Sequence, residues 1–140
     1  MKTKINLLLK IIMILAVIAM GSAAILQIFI PSFLGSTSEY GLNPGWQREI
    51  GFWNIGFVAV LIGTLIKGDG KTVTIVASGG SILAVGFGIN HLLGFIRDTS
   101  MYMSLFGALE NFLFAGLIIL GLIKQIKLNR AHDESPIKNL

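Results

Sequence analysis

The sequence predicts an all-α fold, a bundle of four transmembrane helices with both termini cytoplasmic. Three observations predict it. Of 140 residues, 54% are hydrophobic and 13% charged, with mean hydropathy +0.79, where soluble domains carry about 25% charged residues. Four apolar runs are each long enough to cross the ~30 Å hydrocarbon core. Lysine and arginine gather in alternate connecting segments.

The first span covers about residues 8–30. Lys2, Lys4 and Lys10 precede Ile11 to Ile30, whose only clearly polar side chains are Ser22 and Gln27. The basic start and the small Ser22-Ala23-Ala24 also fit a signal peptide. The apolar run continues past Ala24 to Ile30, longer than an ordinary signal core, which favours an uncleaved span. Pro31 to Gly45 is rich in Gly, Pro, Ser and Asn and reads as a loop.

The second span covers about 46–66, opening on Trp46 at an interfacial position. Lys67-Gly68-Asp69-Gly70-Lys71 makes a polar turn into a third span over about 73–96. Arg97-Asp98-Thr99-Ser100 turns into a fourth over about 101–123. The membrane domain is read as residues 1–130, with 131–140 a flexible cytoplasmic tail.

Orientation follows from the basic residues. Lys2, Lys4, Lys10, Lys67, Lys71, Lys124, Lys127, Arg130 and Lys138 fall on one side, and only Arg48 and Arg97 on the other. The first side is expected to be cytoplasmic, in the cell membrane. The net charge of +4 therefore reflects topology and anionic lipid, with no nucleic-acid partner implied. No cysteine is present, which excludes disulfides and thiolate chemistry. Nucleophile-elbow, zincin and kinase signatures are absent, and the sequence names no cofactor.

The candidate site comes from polar residues inside the spans. Ionisable groups there are costly to keep and mark function by default. From the outer span ends, Glu49 lies ~5 Å deep, His91 ~9 Å, Asn90 ~10 Å and Asn54 ~12 Å. Glu110 and Asn111 lie ~14 and ~15 Å deep, near the bilayer middle. The expectation is one polar cluster in the outer half, fed by separate helices and built from Glu49, Asn54, Asn90, His91, Glu110 and Asn111. Helical phase places Glu49 with Trp53 and Gly56. It places His91 with Gly80, Ala84 and Gly88, and Glu110 with Gly107, Phe114 and Gly121.

Such a cluster suits a small ligand, an ion or a proton. Glu49, His91 and Glu110 together form a donor set compatible with Zn, Mn or Fe. The alternative is structural, with the polar groups locking helix to helix or to a partner membrane protein. Small-residue stripes also suit a homo-oligomer. Trp46, Trp53, Tyr40 and Tyr102 fit an outer aromatic belt, or a stacking site for a ring-bearing ligand such as a quinone.

The run Gln47-Arg48-Glu49-Ile50-Gly51-Phe52-Trp53-Asn54-Ile55-Gly56-Phe57, followed by Gly86-x-Gly88-x-Asn90-His91 and Glu110-Asn111, resembles small DoxX-like four-span membrane proteins and related uncharacterised families. The resemblance covers about Trp46 to Leu122. It implies a four-helix membrane bundle and, by analogy alone, a redox-linked, quinone-type accessory role.

Overall fold

The computed structural model describes residues 3–36 and 41–134, and these contain five helices and no strand. They are α1 (Leu7–Phe29), α2 (Pro31–Gly35), α3 (Pro44–Lys67), α4 (Gly70–Arg97) and α5 (Tyr102–Glu134). All but α2 are long and apolar enough to cross a membrane. The all-α, four-span reading holds, and the chain is a small multi-pass membrane protein.

Local chemistry sets the helix starts. The Asn6 side chain accepts from the Leu9 N–H at 3.0 Å and caps α1. Asn43 caps α3 by accepting from Trp46 N–H at 3.1 Å, with Pro44 in the first turn. Asp69 caps α4, accepting from the Lys71 and Thr72 backbones at 3.1 and 2.9 Å. The segment after Ile30, expected to be loop throughout, begins with the one-turn helix α2. Pro31 at its first position has no N–H to leave unsatisfied there.

The fourth span is expected to end near residue 123, but α5 runs on to Glu134. Residues 131–134 of the expected tail are helical, and 135–140 lie outside the described residues.

The long helices associate as two antiparallel pairs, α1 with α3 and α4 with α5, and contacts between the pairs are sparse. The pairs meet at the end holding the start of α1 and the end of α5, here called proximal. There Leu9, Ile12, Met13, Leu61, Val73, Ala77 and Ile118 make one buried core drawn from all four helices. Gly121 admits α1 closely, since a Cβ on it would stand 2.6 Å from Leu9 Cδ2. Toward the opposite, distal end, the close approaches run within pairs. Gly51 of α3 lies against Ala24 and Ile28 of α1, and Gly88 of α4 against the Phe112 ring of α5. This is small-residue packing, which lipid-embedded helices rely on.

Candidate functional site

Strongly polar side chains are expected only in the distal half, yet the most completely bonded network lies at the proximal end. Gln125 is fully buried. Its Oε1 accepts from the Asn6 backbone at 2.7 Å and from Asn6 Nδ2 at 3.0 Å. Its Nε2 donates to the Lys4 carbonyl and to Asn129 Oδ1. Asn129 Nδ2 in turn donates to the Gly70 carbonyl and to Thr74 Oγ1, and Gly70 N–H donates to the Thr3 carbonyl. Two linked amides thus tie the N-terminal segment, through Gln125, and the start of α4, through Asn129, to α5. Sequence reasoning missed these residues because 124–140 reads as a polar tail. The signal was phase: Gln125 and Asn129 continue the buried stripe of Ile118 and Gly121 at helical spacing.

The distal candidates divide between the two helix pairs. In the α1–α3 pair, Asn54 Nδ2 donates to Gln27 Oε1 at 2.9 Å, and Gln47 is buried. Asn54 is therefore committed to holding its own pair together. In the α4–α5 pair, the half-buried His91 ring packs on Gly107, where a Cβ would stand 3.0 Å from Cδ2 and Cγ. Asn111 Nδ2 donates to the Gly107 carbonyl at 2.8 Å, spending its amide on its own helix. Asn90 and Glu110 are exposed. Glu110 follows Gly107 by one turn, and its carboxylate lies within electrostatic range of the His91 imidazole. No hydrogen bond from a described residue reaches Glu110.

Glu49 stands apart from both groups. With Phe52, Trp53, Gly56, Phe57 and Val60 it lines an open groove of about 520 Å³ along α3. The expected face of Glu49, Trp53 and Gly56 is present. Its convergence with His91 and Glu110 is not: among the described residues, no three His, Cys, Asp or Glu side chains lie close enough to hold a metal ion. The reason is the pairing. Each pair buries its own small residues, and beyond the proximal core the pairs touch little, so equal depth on different pairs does not bring side chains together.

In the turn after α4, Asp98 Oδ1 accepts from Ser100 Oγ at 2.6 Å and from its N–H at 2.9 Å. Those two bonds hold the Asp98 carboxyl below its ordinary value.

Comparison with protein-family models, with curated proteins and with solved structures finds no match for this chain. Fold and site define the class alone: a small four-span integral membrane protein.

Proposed function

We propose that this chain is a binding or transport-type membrane protein whose distal half holds a small ligand, ion or proton at Glu110, with His91 beside it. The observation that carries this is an exposed carboxylate, eight residues into a membrane-length helix, that no described hydrogen bond satisfies. An ionised carboxylate near the bilayer middle must be met by a cation, a proton, water or a donor. Glu110 shares a helical face with Phe114 and Gly121. Gly121 is buried where α5 meets α1, so Glu110 is aimed at the same side, farther along, where the pairs lie apart.

The test uses purified protein, wild type against Glu110→Gln and His91→Ala, with elemental analysis, solvent extraction and intact mass. A co-purifying ion or small molecule lost in Glu110→Gln supports the reading. Equal content in all three, with no change in growth phenotype, defeats it. The structural alternative predicts instead that Glu110→Leu with His91→Leu leaves folding intact or improved.

The proximal end, carrying most of the lysines, is proposed to be cytoplasmic in the cell membrane. Because the chain has no cysteine, single cysteines at Ser100 and Lys67 test this. Impermeant maleimide added outside cells should label the first and spare the second. A DoxX-like, quinone-linked role is proposed on the sequence resemblance alone.

A further inference from the structure

From the α3 groove we infer a second site, independent of Glu110, that takes a lipophilic organic cation. The groove brings one carboxylate, Glu49, together with three aromatic rings, Phe52, Trp53 and Phe57, in about 520 Å³. That volume is within the range of small-molecule sites, ~300–1,000 Å³. Glu49 lies five residues from the start of α3, ~8 Å along the helix, and the groove continues to Val60, ~16 Å farther. The charge therefore stands near the interface, and the apolar lining runs down toward the core.

Each part of the lining selects the guest. Glu49 makes no ion pair with a described residue, and Arg48, the adjacent residue, projects ~100° away around the helix. The carboxylate repels anions. It supplies a single ligating group, too few for a metal ion. Trp53 is 80% exposed and Phe52 62%, so their faces are open to a guest, and the aromatic face attracts cations. A neutral apolar molecule would use the rings and waste the carboxylate. A cation with an apolar body uses both. Gly56 keeps the groove open, since no heavy atom lies within 4 Å of where its Cβ would be.

The probe is tetraphenylphosphonium, with protein in zwitterionic nanodiscs. Trp46→Phe leaves Trp53 as the sole indole, so quenching of its fluorescence reports occupancy of the groove. The expected result is saturable quenching, weakened about tenfold or more by Glu49→Gln and also weakened by Phe52→Ala, both made in the Trp46→Phe background. Tetraphenylborate, the anion of matching shape, should bind far more weakly. Glu110→Gln should leave phosphonium binding unchanged. Glu49 is exposed, so its amide variant should keep the wild-type melting profile, separating lost binding from lost fold. Unsaturable partitioning, equal binding of cation and anion, or indifference to Glu49→Gln would overturn the inference. Loss of binding on Glu110→Gln alone would also overturn it, while supporting a cationic ligand at the Glu110 site.

Discussion

Asn6 donates twice to the one Oε1 of Gln125, through its backbone N–H at 2.7 Å and its side-chain amide at 3.0 Å. Asn6 also caps α1 with its Oδ1. One residue therefore starts the first helix and fastens it to the last. Gln125 is wholly buried, so an apolar side chain in its place would cover the Asn6 N–H without bonding it.

Gln125→Leu should accordingly cost more than a typical substitution. It leaves the Asn6 N–H and one Asn129 acceptor without partners, a loss of roughly 2–4 kcal/mol. Thermal unfolding in detergent, followed by circular dichroism, should show a clear drop in midpoint. Asn129→Ala should show a smaller one, since Gln125 keeps its bonds to Asn6 and Lys4.

The close approach of α1 to α5 predicts a contrast between glycines. Gly121→Val would drive side-chain atoms into Leu9, at about 1–3 kcal/mol of overpacking. Gly79→Ala meets nothing within 4 Å and gains helix propensity, so it should be neutral or stabilising by up to ~1 kcal/mol. Melting midpoints of the two variants, measured side by side, check the order.

The Gln27–Asn54 bond joins α1 to α3 inside the membrane. Double-mutant cycles on such interhelical bonds give about 0.6 kcal/mol on average. A cycle with Gln27→Leu and Asn54→Leu should return a coupling near that size. A cost of Asn54→Leu that persists in full in the Gln27→Leu background would show that Asn54 has a further partner.

The Asp98 turn is sensitive to pH in a defined direction. Its folded carboxyl titrates below the ordinary 3.8 because Ser100 hydrogen-bonds the ionised form. The turn's contribution is therefore present above 3.8 and lost as pH falls through the lowered folded value. Carboxyl NMR should show Asp98 titrating below its ordinary value in the wild type. In Ser100→Ala it should move part of the way back, since the backbone bond persists.

Lys71 and Asp133 approach to 3.2 Å, joining the start of α4 to the end of α5, with side chains 67% and 54% exposed. Exposed pairs contribute little, about 0–1 kcal/mol. Exchanging the charges as Lys71→Asp with Asp133→Lys should leave the melting midpoint nearly unchanged at moderate salt.

The sequence alone determined the number and approximate extent of the spans. Long apolar runs admit no other solution in lipid, where every backbone group must bond within its own segment. Helical phase also grouped Glu49 with Trp53 and Gly56, which line one groove, and Gly80, Ala84, Gly88 and His91 on one face, of which Ala84 and Gly88 are buried, because these relations are internal to one helix. Only the tertiary structure decided which helix lies against which. It placed Asn54 on Gln27 and His91 on Gly107, left Glu49 in a groove of its own, and buried Gln125 in what reads as tail. Depth along a helix follows from counting residues. Neighbours depend on where small residues let two particular helices close, and that depends on all four packing at once.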